Sequence, residues 1–278
     1  MVVHRPCLRL LKTRIPFSWF FVGLLVLTGA MPYQRFDTHQ KEKMKIEIWS
    51  DVVCPWCYIG KRRFEQALSE FSYADRLDIE WKSYQLDPQM ETDTSLNIHE
   101  YLANRKGMSP EQAKAMSDNV TKVAAQEGLK YDFSKTIPVN TIKAHRLLHY
   151  AKTLGKQDDL KETLLYAYFC EGKNLDDNHT LITLSRRIEL DDARVKQILE
   201  SEAYAEEVQS DIMEGVQLGL RGVPFFVFDR KYGISGAQAS EVFSQTLETA
   251  FTEWLENNPQ KDLEVINGQV CTPDGVCD

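Results

Sequence analysis

A cysteine pair set between a strand pattern and a helix pattern constrains the fold of this chain more than any other feature. The pair is Cys54-Pro55-Trp56-Cys57. Apolar and polar residues alternate over 45–49, just before it, which predicts a β-strand. Apolar residues then recur at helical spacing after it, at Phe64, Ala67, Leu68 and Phe71. The first cysteine is therefore predicted to lie at the N-terminus of a helix that directly follows a strand.

This position favours redox chemistry at Cys54. The first N–H groups of a helix have no partner within the helix, and the helix dipole favours a negative charge at this end. A thiolate, the form of cysteine that attacks disulfides, is stabilised there. Cys57 lies one helical turn further on and can close a disulfide with Cys54. The motif thus predicts a dithiol redox centre in which Cys54 is the more exposed and the more acidic thiol.

Two other interpretations of the pair are weaker. Zinc sites usually have four ligands, and the other closely spaced cysteines, Cys271 and Cys277, lie more than two hundred residues away. The histidines form no second cluster of ligands in the sequence, so no metal is expected. Two inert buried thiols would also fit the spacing, since free cysteine is often found in protein cores. The flanking strand and helix favour redox chemistry over both.

Charge and composition limit the partners of the protein. The 278 residues carry a net charge of −8, which is distributed unevenly: residues 1–43 have a net charge of +5 and the remainder −13. An acidic body without a basic stripe argues against a nucleic-acid partner. Six cysteines are also too few for a disulfide-stabilised scaffold of this length.

Residues 1–43 form a predicted N-terminal extension with three open interpretations. The stretch 15–34 contains no charged residue and follows a basic segment. We favour Met44 as the true start, because the first strand begins at the next residue, and this start would make the protein cytoplasmic. A signal peptide or membrane anchor at 15–34 ranks second and would make the protein exported or membrane-anchored. A mitochondrial presequence ranks third.

The rest of the chain consists of two short α/β segments around a long helical one. Alternating residues over 77–82 predict a second strand, and 95–220 is predicted to be helical throughout, with a capping box at 109–112. Strand character returns at 224–228 and is followed by a hairpin and a final amphipathic helix. This order predicts an α/β fold: a thioredoxin fold with a large all-helical domain inserted between its βαβ and ββα halves. The predicted segments are 44–94 for the βαβ half, 95–220 for the helical domain, 221–258 for the ββα half and 259–278 for a C-terminal tail.

Four stretches of sequence carry a family resemblance. They are Met44–Lys61 (MKIEIWSDVVCPWCYIGK), Asn140–Tyr150 (NTIKAHRLLHY), Ala167–Gly172 (AYFCEG) and Gly219–Gln238 (GLRGVPFFVFDRKYGISGAQ). With them the chain resembles the DsbA-like thioredoxin family, and most closely its FrnE-type branch. This family is related in fold to 2-hydroxychromene-2-carboxylate isomerase and the kappa-class glutathione transferases. The likeness spans 44–278 and leaves out 1–43.

The resemblance implies a role for each residue of the site. Cys54 would be the nucleophile that forms a mixed disulfide, and Cys57 the thiol that resolves it. Pro224 matches the cis-proline that faces the cysteine pair in thioredoxin-like proteins. A cis bond there would turn backbone groups of Val223 toward an incoming chain. Trp56 and Val223 are accordingly expected to contact the substrate.

The resemblance also implies an activity and leaves alternatives to it. The leading hypothesis is a thiol–disulfide oxidoreductase that oxidises, reduces or isomerises unfolded or disulfide-containing proteins. It would bind no cofactor and would use glutathione or another thiol as its redox partner; a homodimer is left open. The alternative is a glutathione-dependent isomerase or transferase of the 2-hydroxychromene-2-carboxylate type, or an isomerase of a polyketide pathway. Those relatives typically carry serine where Cys54 stands. A third hypothesis is a chaperone-like binding module.

The C-terminal tail carries a second candidate pair, Cys271 and Cys277. Between them lies Pro273-Asp274-Gly275, a turn sequence that can bring the flanking cysteines together. A disulfide across so short a loop removes little chain entropy, so a stabilising role explains the pair poorly. Some FrnE-type proteins also have a C-terminal cysteine pair. We therefore expect an auxiliary redox pair, with two incidental exposed thiols as the alternative.

Overall fold

A mixed four-stranded sheet forms the centre of the computed structural model, which describes residues 42–259. Its strands are β1 (Met44–Ser50), β2 (Leu77–Ser83), β3 (Phe225–Phe228) and β4 (Tyr232–Ser235), in the order β2-β1-β3-β4. β1 pairs with β2 in parallel, whereas β3 pairs with β1 and β4 in antiparallel orientation. The first and last parts of the chain therefore meet in one sheet.

Nine α-helices lie within the described residues. They are α1 (Pro55–Glu70), α2 (Ile98–Lys106), α3 (Pro110–Gln126), α4 (Ile142–Thr153), α5 (Gln157–Phe169), α6 (Asn178–Arg186), α7 (Asp192–Leu199), α8 (Ala205–Gln217) and α9 (Ser240–Asn257), and a short 3-10 helix at Ala74–Arg76 precedes β2. Helices α2 to α8 all fall between β2 and β3. The predicted fold class, a thioredoxin fold with an all-helical insertion between its halves, is confirmed.

Two hydrophobic cores stabilise this arrangement. The first lies between the sheet and helices α1 and α9, where the rings of Phe64, Phe226 and Phe243 pack with centroids 4.7–5.7 Å apart. The second is formed mainly by the inserted helices, around residues such as Leu147 and Leu164, both with no exposed surface. The stripe of apolar residues predicted after the cysteine motif faces the first core.

The capping box predicted at 109–112 is present at the start of α3. The hydroxyl of Ser109 accepts a hydrogen bond from the backbone N–H of Gln112 at 3.2 Å, and the side-chain oxygen of Gln112 accepts one from the N–H of Ser109 at 2.9 Å. The prediction that 95–220 is helical throughout is wrong in detail, because 127–141 is not helical. Gly128, with a left-handed φ of 75°, follows the end of α3, and Pro138 lacks the N–H that a helix needs.

The structure leaves several predictions about the domain boundaries and the two ends of the chain untested. The predicted boundaries at 94/95 and 220/221 fall in loops, before α2 and before β3, and stay predictions. Within 42–259 no helix is both long and apolar enough to cross a membrane. The stretch 15–34 and the cysteines Cys271 and Cys277 lie outside the described residues.

The glycines after α5 and α3 provide a test of the packing between inserted segments. Gly172 and Gly128 both have a left-handed φ, but a Cβ at Gly172 would lie 2.7 Å from the backbone oxygen of Lys135, whereas one at Gly128 would meet nothing within 4 Å. We expect Gly128→Ala to lower the free energy of unfolding by about 1 kcal/mol, the cost of the backbone conformation alone. Gly172→Ala should cost about 3 kcal/mol or more, because steric overlap is added.

Urea unfolding of the two variants beside the wild-type protein measures both costs. Equal losses of stability would show that the chain at Lys135 yields to the added methyl group.

Candidate active site

Cys54 is the residue that caps the N-terminus of α1. Its backbone is extended (φ −91°, ψ 113°), and its carbonyl accepts the N–H of Cys57 at 3.0 Å, so the helix begins directly after it. Pro55 occupies the first helical position, where its missing N–H costs nothing and its restricted φ suits the helix. No side chain caps the helix. Its N-terminal dipole therefore acts on the sulfur of Cys54.

The two cysteines differ in how far they can be reached. The exposed fraction of Cys54 is 4%, and that of Cys57 is 0%. The thiol of Cys54 donates a hydrogen bond to the backbone oxygen of Val223 at 3.5 Å. Trp56, between the two cysteines, is 41% exposed. A substrate can therefore reach the sulfur of Cys54 but not that of Cys57, in agreement with the predicted order of exposure.

The loop before β3 faces the motif, as the resemblance implies. The peptide bond between Val223 and Pro224 is cis. Pro224 packs on α1 at Gly60, where an added Cβ would lie 3.0 Å from its ring. The structure thus brings together all five site residues predicted in the described part of the chain: Cys54, Trp56, Cys57, Val223 and Pro224.

Each thiol affects the acidity of the other. The hydrogen bond to Cys57 raises the pKa of Cys54 well above its ordinary value, and burial raises it further. Burial also acts to raise the pKa of Cys57, but the hydrogen bond from Cys54 and the positive charge of Lys161 outweigh it and lower that pKa. The two thiols thus bind a proton jointly, and the prediction that Cys54 is the more acidic of them stays a prediction.

An aspartate and a histidine lie buried behind the motif. One oxygen of Asp51 accepts a hydrogen bond from the backbone N–H of Leu86 at 2.8 Å, and the other lies 3.2 Å from Nε2 of His145. Burial lowers the pKa of His145, although the hydrogen bond to Asp51 opposes this effect. Because Nδ1 has no hydrogen-bond partner, we assign the single proton of a neutral ring to Nε2, where it is donated to Asp51.

Lys161, on α5, extends from the inserted helices to the same place. Its side chain has no exposed surface, and its Nζ donates to the backbone oxygen of Ser50 at 3.3 Å. The ammonium also lies 5.4 Å from the centre of the Trp81 ring. A helix of the insertion thus provides a positive charge near the cysteine pair of the thioredoxin half.

A largely apolar cavity of about 480 Å³ opens beside Cys54. Cys54, Trp56 and Val223 line one side of it. The opposite side is formed by the inserted segment, with apolar residues that include Ile98, Tyr101, Val120, Phe133 and Phe169. The hydroxyl of Tyr131 donates to the backbone oxygen of Pro55 at 2.8 Å and so attaches the inserted segment to the motif. The cavity can accept an apolar group of a substrate within reach of the reactive sulfur.

Sequence reasoning missed Asp51, His145 and Lys161 as members of the site. A signal was available for Lys161, because α5 has a buried stripe at Gln157, Leu160, Leu164 and Tyr168, and Lys161 falls beside it. A lysine on an apolar face is unusual and indicates a buried cation. Asp51 lies three residues before Cys54, but no pattern in the sequence indicates that its carboxylate points inward.

Comparison with known proteins agrees with this geometry. Residues 45–248 match the model of the DSBA-like thioredoxin domain. The crystal structure of a probable DsbA oxidoreductase from Streptomyces coelicolor is 40% identical in sequence, with a TM-score of 0.71, and the match covers 84% of this chain and 98% of that one. An uncharacterized protein of Bacillus subtilis, YwbO, is 25% identical over 206 residues, which are 73% of this chain and 94% of that protein.

A more distant structure shares the fold alone. 2-Hydroxychromene-2-carboxylate isomerase is 14% identical with a TM-score of 0.54, over 77% of this chain and 98% of that one. The family model covers most of the chain, and the match with the Streptomyces structure covers 98% of that structure. By its sequence and its fold, this chain belongs to the DSBA-like thioredoxin domain family.

Proposed function

We propose that this protein is a thiol–disulfide oxidoreductase that acts on protein disulfides through Cys54 and Cys57. The observation that carries the proposal is the unequal accessibility of two hydrogen-bonded thiols: one borders the cavity and the other is sealed behind it. Such a pair can bind a substrate sulfur at one cysteine and release it with the other. The carbonyl oxygen of Val223, beside Cys54, offers a backbone acceptor to an extended substrate chain.

The chemistry follows from the shared proton. The thiol of Cys54 transfers its proton to the thiolate of Cys57, and the resulting Cys54 thiolate attacks one sulfur of a substrate disulfide. The substrate S–S bond breaks, and the other substrate sulfur leaves as a thiolate with the bonding electrons. Cys57 then gives up its proton, which the departed substrate thiolate takes up, and displaces the substrate from Cys54, forming the Cys54–Cys57 disulfide. Two electrons have passed to the substrate, and the reverse sequence oxidises a substrate dithiol.

No bound cofactor is needed for these steps. Glutathione or another thiol is the proposed redox partner that resets the pair. The direction of net electron flow depends on the reduction potential of the Cys54–Cys57 couple relative to that of this partner.

Substitution of each cysteine separates their roles. We expect Cys54→Ala to abolish insulin reduction and RNase refolding, because among residues 42–259 Cys54 is the cysteine that borders the cavity. Cys57→Ala should retain the first attack and accumulate mixed disulfides, which non-reducing gels and mass spectrometry detect. Cys170→Ser is the matched control, since Cys170 is the other described cysteine and lies at the end of α5. Turnover by the Cys54→Ala variant at the wild-type rate would refute the proposal.

A small-molecule isomerase is the second candidate, and the size and the largely apolar lining of the cavity favour it. A volume of about 480 Å³ suits a small aromatic ligand. The thiol at Cys54 argues against it, because relatives with this activity typically carry serine there. The test is glutathione-dependent isomerisation of 2-hydroxychromene-2-carboxylate, measured for the wild-type protein and for Cys54→Ser. Isomerisation by both proteins, with no reduction of insulin by the wild type, would favour the isomerase.

The tail cysteines are proposed to act as an auxiliary redox pair. For this role Cys271 and Cys277 must reach Cys54 and exchange a disulfide with it. The double variant Cys271→Ser/Cys277→Ser should then slow reoxidation of the active-site pair several-fold and spare the first exchange step. Stopped-flow measurement of tryptophan fluorescence separates the two steps. An unchanged rate of reoxidation would mean that the tail cysteines are incidental exposed thiols.

A further inference from the structure

Two positively charged residues line the cavity beside Cys54. They are Arg105 and Lys106, the last two residues of α2. Among the described residues that line this cavity, none is acidic. The rest of the protein has the opposite balance, since residues 44–278 carry a net charge of −13. The place where a substrate meets the reactive sulfur is therefore locally cationic in an acidic protein.

The two cations differ in whether the protein itself supplies a partner. The guanidinium of Arg105 forms an ion pair with Asp87. It also donates hydrogen bonds to the hydroxyl of Tyr101 at 2.8 Å and to the backbone oxygen of Leu86 at 2.9 Å. Lys106 is exposed, and its ammonium forms no ion pair or hydrogen bond with any residue of 42–259. The charge of Lys106 is thus available to a ligand.

A lysine at the end of a helix commonly has a structural role, because a cation there stabilises the helix through its dipole. Arg105 already provides such a cation in the last turn of α2. Stabilising the helix also needs no place in a cavity, whereas Lys106 borders the same largely apolar cavity as Cys54. Apolar walls strengthen the field of a charge, since they exclude water. Lys106 is therefore well placed to act on a bound ligand.

The positions of the groups around the cavity favour a polypeptide as this ligand. Cys54 and Val223 lie on one side of the cavity, and Lys106 belongs to the inserted segment on the opposite side. A ligand that reacts with the sulfur and pairs with the ammonium must extend across the apolar lining. A peptide can do so with successive side chains, while its backbone donates to the carbonyl oxygen of Val223.

We propose that Lys106 selects polypeptide substrates in which an acidic and an apolar side chain lie close to the reacting cysteine. The apolar side chain enters the cavity, and the carboxylate pairs with the exposed ammonium of Lys106. This pairing also offsets the repulsion between an acidic segment and the negative thiolate of Cys54. The inference rests on the proposed function and names the substrate class of the same site.

The test uses short peptides whose single cysteine is joined by a disulfide to thionitrobenzoate. The Cys54 thiolate attacks the peptide sulfur, the S–S bond breaks, and thionitrobenzoate leaves with the bonding electrons, which its absorbance records. Each peptide has leucine next to the cysteine and glutamate, glutamine or lysine at one of several positions on either side. The rate with Cys54→Ala, which reports the other thiols of the chain, is subtracted.

We expect the reduced full-length wild type to react about threefold faster with a glutamate peptide than with the matching lysine peptide at one or more positions. The net charge of the protein predicts the opposite order, because an acidic body attracts a cationic peptide. The ratio of the two rates should approach one as sodium chloride rises from about 10 mM to about 0.5 M, since salt screens exposed charges. In Lys106→Glu the order should reverse, and in Lys106→Gln the preference for glutamate should be lost.

The matched control is Lys122→Glu, which alters the net charge equally. Lys122 is an exposed lysine of α3 that does not line the cavity, so this variant should keep the preference for glutamate. Circular dichroism establishes that the variants are folded. If Lys106→Glu does not fold, the wild-type peptide series and Lys106→Gln still decide.

Equal rates for the glutamate and lysine peptides at every position in the wild type would overturn the inference. An unchanged preference in folded Lys106→Glu would do the same. So would an effect of Lys106 seen only with the mixed disulfide of glutathione and thionitrobenzoate, because the cation would then serve a small anion. Absence of Cys54-dependent release from every peptide would instead refute the oxidoreductase proposal.

Discussion

One short stretch of chain, residues 50–59, passes from one hydrophobic core to the other, and the position of the site depends on this connection. Val52 and Tyr58 are buried among the inserted helices, whereas Ile48 just before and Phe64 just after are buried in the core of the sheet. The cysteine motif therefore lies where the two cores meet. This explains how a reactive pair can be almost wholly buried at the end of a surface helix.

Two buried polar clusters flank β1 and β2, and they differ in how completely they are satisfied. Around Asp211, the backbone N–H of Ser83, the ammonium of Lys82 and the ring of His149 all donate or pair within 2.6–3.1 Å. This cluster attaches α8 and α4 to β2. Its groups balance one another, as is typical of structural networks.

In the second cluster, behind the cysteines, fewer of the charged and polar atoms have a partner. Lys161 has no ion pair among the described residues, and His145 has one unpartnered ring nitrogen. Incomplete pairing leaves the pKa values of such groups sensitive to the state of their neighbours, which is why perturbed groups concentrate at functional sites. Here the neighbours are the two thiols, whose charge changes at each step of disulfide exchange. The two clusters thus differ in pairing: the groups around Asp211 pair with one another, whereas Lys161 has no ion pair among the described residues.

The sequence by itself determined the fold class and the position of the cysteine pair between a strand and a helix. Alternation over 45–49, a helical stripe after the motif and the later hairpin pattern are local signals, and local signals decide where strands and helices form. The role of Pro224 came from the family resemblance, and the structure placed that residue against α1. Each of these features is encoded within a few consecutive residues.

Only the tertiary structure decided the electrostatics of the site. Lys161 lies more than a hundred residues from Cys57 in sequence, yet its positive charge acts to lower the pKa of that thiol. The cavity likewise needs residues from both the thioredoxin half and the insertion. Local pattern cannot indicate such effects, because the energy of a charge depends on its distance to other charges and on its exclusion from water. Both are properties of the packed molecule.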